Sequence, residues 1–338
     1  MKRLLLACCL VFSSNIAFGQ VMNTVGVITY NNPTEGYNLV YPHNQSDVFL
    51  LNNCGEIAHI WPDDERFTPG NISYLTEDGT LVKAKKPAVF EQETFGAGGG
   101  GGIIEWLTWD NELIHSFSFM DTLYRAHHDL ALLPNGNVLA ILWERRSIAD
   151  VIENGGDMDF HAVDERWPDM IVELDPILDS IVWEWHAWDH LIQEYDSTNL
   201  NYGSVEDHPE LININTNLAE FALRPDWMHI NSIDYSVDRN QILLSVPHFN
   251  EIWVIDHSTT TKEASSNRGG RSGKGGDLLY RWGNPVTYLE NGFLEQKSFF
   301  QHDARWELDE DGRTIGRICF FNNRVGDDSS QVNIILPV

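Results

Sequence analysis

The sequence predicts an all-β protein of the β-propeller type, and three observations carry that expectation. Short apolar runs with strand alternation recur along the chain, bounded by Asn, Asp and Gly, and no long amphipathic helix interrupts them. The runs come in two alternating kinds, strand pairs ending on Trp or a substitute and hairpins headed by His, which together give about four strands per unit. That is the construction of a propeller blade, whose innermost strand lines a central channel. A β-sandwich could use the same strands but gives no reason for His to return at one phase.

Residues 1–19, "MKRLLLACCLVFSSNIAFG", read as a signal peptide: Lys2 and Arg3, an apolar core, then small residues before Gln20. The mature domain, 20–338, is therefore expected to be exported, periplasmic or secreted, with no membrane span. Cys8 and Cys9 leave with the leader, and Cys54 and Cys319 remain. Export permits a disulfide between them; two buried free thiols are the other reading.

The first strand pair is "DVFLLNNCGEIAHIW" (47–61), followed by the hairpin "NISYLTEDGTLVKA" (71–84). The second pair is "GIIEWLTWDNELIHSF" (102–117), the third "DMIVELDPILDSIVWEW" (169–185). In a fourth, "EIWVIDHS" (251–258) is joined by a long insertion to "GDLLYRWG" (276–283). Three further hairpins carry the histidines. His128, His229 and His302 are each followed at the fourth place by Leu132, Ile233 or Trp306, then a turn, then an apolar strand. The polar stretches 150–167 and 186–225 are insertions expected at a rim. "SQVNIILPV" at the end reads as an outer strand, or as the opening strand of another unit, so the ring is expected to be incomplete at the C-terminus.

Composition narrows the partners. Hydrophobic residues at 42 % are enough for a large core. The 22 Lys and Arg against 50 Asp and Glu leave a net charge of -28, which excludes nucleic acid and anionic membrane surfaces. An anionic substrate would need a local concentration of positive groups.

Three histidines at matching phase suggest one shared axial site. Clustered imidazoles can bind a metal, shuttle protons or supply a nucleophile. Asn231, two residues beyond His229, faces the same side and can donate a hydrogen bond into the channel. Strand alternation points His127 away from its neighbour His128. Asp129 and Asp303 can orient an imidazole or cap a strand. "FGAGGGGG" (95–102) lacks the Gly-Lys-Ser/Thr of a phosphate loop, and its glycines are expected to let backbone turn or pack closely.

The motifs "HHDLALLPNGNVLAI", "DWMHINSIDYSVDRNQILLSV", "EIWVIDHSTTT", "GGDLLYRWGNP" and "QHDARW" together resemble the bacterial aryl-sulfate sulfotransferases, over most of the chain from about Gly36 onward. The resemblance implies a six-bladed, exported propeller that moves a sulfuryl group from a phenolic sulfate ester to a phenol acceptor. It implies no nucleotide sulfate donor, no cofactor and no metal. His302 matches the histidine that becomes transiently sulfated, and His229, Asn231 and His128 match active-site positions. The family's strand after "HIN" usually carries an Arg where this chain has Pro247. Two alternatives follow from that departure: a binding or scaffold propeller that has lost its sulfate-holding Arg, and a metal-dependent lyase or hydrolase on the same propeller.

Overall fold

The apolar runs become strands, and a near-continuous one such as Val138–Glu144 has both of its faces buried. In the computed structural model the described residues are 31–89, 94–161, 163–216, 224–289, 296–326 and 329–337. The proposed leader lies outside them. They form five consecutive antiparallel sheets arranged as propeller blades.

Blade one holds β1 (Tyr37–Val40), β2 (Val48–Asn52) and β3 (Ile57–Trp61). Blade two holds β4 (Phe67–Leu75), β5 (Leu81–Pro87), β6 (Ile103–Leu107) and β7 (Leu113–Ser118). Blade three begins with β8 (Tyr124–Leu132) and β9 (Val138–Glu144). A two-stranded ribbon, β10 (Arg146–Ser147) with β11 (Glu165–Arg166), then encloses helix α1 (Ile148–Glu153). The blade is completed by β12 (Asp169–Asp175) and β13 (Ser180–His186). The small pair β14 (Leu191–Ile192) and β15 (Ile212–Asn213) follows. Blade four holds β16 (Ser232–Ser236), β17 (Gln241–Val246), β18 (Glu251–Asp256) and, after helix α2 (Thr261–Ala264), β19 (Tyr280–Trp282). Blade five holds β20 (His302–Leu308), β21 (Thr314–Gly326) and β22 (Ser329–Ile335). The C-terminal run is thus the third strand of a blade and does not open a new one. The innermost strands β4, β8, β16 and β20 pack side by side around the axis.

Strand alternation builds the core. On β9, Leu139 and Ile141 face blade four, while Val138, Ala140 and Leu142 face blade two. Similar clusters lie between blades one and two and between blades four and five. Some of the Trp residues that mark the strand pairs tie one blade to the next. Buried Trp61 donates from Nε1 to the Thr108 carbonyl at 3.1 Å, and Trp185 to the Gly276 carbonyl at 2.8 Å. A buried indole N–H usually finds such a partner.

Two expectations need correction. The insertions are not merely polar rim: Val151, Leu191, Ile212 and Ile214 are buried in the core beside blades three and four. Cys54 and Cys319 are both free, and Cys54 is exposed, so the pair is neither a disulfide nor two buried thiols.

Candidate functional site

The site begins with a backbone irregularity. His128 lies within β8 at φ +54°, in the left-handed region, and the β8–β9 register shifts between Ala126 and Leu130. His229, in the segment leading into β16, sits at φ +58°. A non-glycine residue pays about 1 kcal/mol for this conformation, which surrounding structure must hold in place. For His128 the glycine loop does so. Its N–H donates to the Gly99 carbonyl at 2.8 Å, and a Cβ at Gly99 would lie only 2.1 Å from the imidazole. The expected close packing of those glycines is therefore against the site itself.

The irregularity also overturns the expected orientation of His127. The left-handed residue breaks alternation, so His127 Nδ1 comes within 2.8 Å of His128 Nδ1. Its other nitrogen, Nε2, lies 2.9 Å from Asp169 Oδ1, and both side chains are fully buried. Trp143 stacks on the His127 ring at 4.0 Å and donates to Asp226 Oδ1 at 3.1 Å.

The rings of His128 and His229 meet edge to face, 4.4 Å apart. His229 Nδ1 is 2.5 Å from Asp226 Oδ2. His248 stacks on His229 at 4.7 Å, nearly parallel, with its Nδ1 at 3.2 Å from the Asp226 carbonyl. His248 thus occupies the space beside Pro247. Phe300 bridges onward, 5.9 Å from the His248 ring and 6.0 Å from that of His302. His302 opens β20 and is close enough for its charge to be felt at His128, as that of His229 is felt at His302.

Asn231 does not reach for a ligand with the hydrogen bond expected of it. Its amide donates to the Gln301 carbonyl at 2.8 Å, while its buried Oδ1 has no hydrogen-bond partner among the described residues. Gln301 is a brace, bonded to Ser245, Glu251 and Ser298. Neither aspartate orients an imidazole. Asp129 is buried and accepts from Tyr74, Ile233 and Arg305, joining four blades at the axis. Asp303 is exposed and pairs with Arg305.

The histidines differ in charge. Burial works against charge on both Asp226 and His229. Their mutual hydrogen bond and attraction overcome it, so Asp226 titrates below the usual carboxylate range and His229 above the usual histidine range. The pair favours the imidazolium form of His229. Burial lowers His302, takes His248 down to about 4, and holds His127 and His128 well below the usual histidine range, the charge of His229 adding to the shift at His128. Burial, then the Asp226 charge, raises Asp169 well above the carboxylate range.

Asp226, His229 and His248 also form a donor set, with candidate ligand atoms within 4.8 Å of one another. Two imidazoles and a carboxylate suit zinc and similar ions. A separate cleft of about 420 Å³, lined by residues such as Asp157, Glu194 and Tyr195, lies among the insertions and includes none of these histidines.

Of the residues now in the site, His127, Asp169, Asp226 and His248 were not expected there. The "HH" doublet was the one visible signal; Asp169, which opens β12, reaches the site only through the folding of the blade, and Asp226 lies three residues before His229.

An all-β propeller with a histidine-lined site at its axis is the class that fold and geometry define. The arylsulfotransferase family (ASST) matches residues 111–336, and the chain belongs to that family. No match was found among curated proteins. Among solved structures the chain resembles Kuenenia stuttgartiensis hydrazine synthase at 10 % identity and TM-score 0.48, over 89 % of this chain and 67 % of that one. It also resembles the Dos1 propeller (10 %, 0.39, 91 % and 61 %). A europium-containing methanol dehydrogenase is similar too (9 %, 0.41, 88 % and 49 %). These are distant likenesses.

Proposed function

We propose that the protein moves a sulfuryl group from a phenolic sulfate ester to a phenol through a sulfated His302, without a nucleotide donor, after export from the cytoplasm. The observation that carries this reading is geometric: His302 stands in one row of rings with His248 and His229, and His229 is hydrogen-bonded to Asp226, which favours a neutral imidazole at the first and an imidazolium at the last. A neutral imidazole has the lone pair that attack on sulfur requires. The charge on His229, secured by Asp226, suits the sulfate oxygens and supplies locally the cation that a protein of net charge -28 lacks.

His302 Nδ1 lies 2.6 Å from the Asn323 side-chain amide. Attack from Nε2 uses the tautomer protonated on Nδ1, with the amide presenting its oxygen there, so that the lone pair is on Nε2. In the first half-reaction Nε2 attacks sulfur and the S–O(aryl) bond breaks, its electron pair leaving on the phenolate oxygen. In the second, the oxygen of the acceptor phenol attacks the same sulfur and the N–S bond returns its pair to Nε2. His128 exchanges the phenol protons.

The test is to incubate purified protein with 4-nitrophenyl sulfate and excess phenol, and to look for a sulfated peptide containing residue 302. His302→Ala is expected to lose the label and to slow transfer by roughly 10³-fold or more. Transfer at the wild-type rate would remove His302 from the mechanism.

The geometry of Asp226, His229 and His248 supports a second reading, a metal-dependent lyase or hydrolase. It requires about one equivalent of metal in the purified protein and loss of activity on chelation. Transfer that survives chelator with no bound metal would favour the transferase.

A further inference from the structure

Three side chains between blade three and the axis form an unbroken chain: Asp169 Oδ1 to His127 Nε2 at 2.9 Å, then His127 Nδ1 to His128 Nδ1 at 2.8 Å. We propose that Asp169, His127 and His128 are a proton relay that gives a proton to the departing phenolate and takes one back from the acceptor phenol. The proposal rests on the transferase reading and adds to it two residues, His127 and Asp169, that act through His128.

The argument is one of tautomers. Two facing Nδ1 atoms can share only one proton, so one ring donates and the other accepts. If Asp169 carries its proton, it donates to His127 Nε2. His127 then donates from Nδ1, and His128 holds its proton on Nε2. If Asp169 is ionised, every bond reverses and His128 Nε2 is bare. The state of a buried carboxyl is therefore written on the far nitrogen of His128. His127 is enclosed against Trp143, and Asp169 has no exposed surface, so water does not break the chain. The second oxygen of Asp169 accepts from the Ile230 N–H at 2.8 Å, which fixes which oxygen faces His127. Burial favours the protonated carboxyl at rest.

The relay balances the reaction. A neutral imidazole N–H is by itself too weak an acid to protonate a phenolate. When His128 releases its Nε2 proton, Nδ1 takes one from His127, and His127 takes one from Asp169. The negative charge comes to rest on a carboxylate and never on an imidazolate. In the second half-reaction the acceptor phenol gives its proton to His128 Nε2, the shifts run backward, and Asp169 is reprotonated. No other reactant is consumed.

A structural role and a relay role separate on the leaving group. 4-Nitrophenolate departs with little need of a proton; unsubstituted phenolate needs one. In Asp169→Asn the amide carbonyl can accept from Ile230 while the NH₂ donates to His127, which preserves the contacts but freezes the relay. The expected result is a rate loss on phenyl sulfate about 100-fold greater than on 4-nitrophenyl sulfate, in the range of general acid catalysis. Equal losses on both donors, or none, would overturn the relay. In case the variant does not fold, the wild type supplies a second readout. In mixtures of H₂O and D₂O, its rate on phenyl sulfate should show a curved dependence on deuterium fraction, from several protons moving together, and a linear one would count against the relay. The wild-type burst of 4-nitrophenolate and its loss in His302→Ala test the transferase reading separately. If that burst is absent, ¹⁵N resonances of the histidines still decide. The relay requires His128 to be the Nε2–H tautomer in wild type, with Nδ1 accepting from His127, and an Nδ1–H tautomer there would overturn it.

Discussion

The Nδ1 atoms of His127 and His128 lie 2.8 Å apart, although neighbours in a strand should point to opposite faces. The left-handed backbone at His128 is what turns the second ring toward the first. Each residue that holds that backbone in place therefore influences the chemistry without touching a substrate.

Gly99 is the first such residue. It stands at φ +78°, and a Cβ there would lie 2.1 Å from the His128 ring. Gly99→Ala should shift the imidazole and lower turnover by roughly 100-fold, the scale of a displacement near 1 Å. Gly96, where a Cβ would meet nothing within 4 Å, is the control. Steady-state rates on an aryl sulfate for the two variants decide the matter.

Asp226 and His229 should behave as one unit. Asp226→Asn removes the charge that keeps His229 protonated, and turnover should drop by about 10²-fold, as when one stabilising donor is lost. His229→Asn should cost a similar amount, and the double variant little more than either. Additive losses in that cycle would show that the two act independently.

Asp129 and Arg305 concern stability. Arg305 lies 2.8 Å from Asp129 Oδ2 and also donates to the Ile233 carbonyl. Asp129→Ala would leave Tyr74, the Ile233 N–H and the Arg305 cation without their shared acceptor, at a cost of about 3 kcal/mol. Urea denaturation should record a lower midpoint with little change in slope.

Acid should weaken the fold through its buried histidines. Burial, aided by the charge of Arg166, holds His161 at about 4, against an ordinary 6.5. The unfolded chain takes up this proton first. The stabilising contribution is therefore complete above 6.5 and is lost as pH falls from 6.5 toward 4. His161→Asn keeps an acceptor near the position of Nδ1, which receives the Arg166 Nε hydrogen bond at 2.9 Å, but does not titrate. Its stability should fall less steeply over that interval, and an unchanged slope would mean that other groups set the acid limit.

The blades were legible in the residue order because strand formation is largely a local matter. Alternating apolar residues, turns built on "PNGN" or "DEDG", and Trp at strand ends mark β9, β13 and β21 without knowledge of their neighbours. The recurrent His at one phase was legible for the same reason, and the chain does place His128, His229 and His302 around one axis.

The pairings among those histidines were not legible. Alternation predicted that His127 faces away, and a single left-handed residue reversed it, a backbone state that no residue type announces. Asp169 lies 42 positions from His127, and the partners of the axial Asp129 lie 55, 104 and 176 positions away. The order of residues specified which segments would become strands and where imidazoles would recur. Only the closed packing of the blades decided which imidazole favours charge, because that depends on burial and on the turn of backbone that sets Asp226 against His229, three positions along the chain.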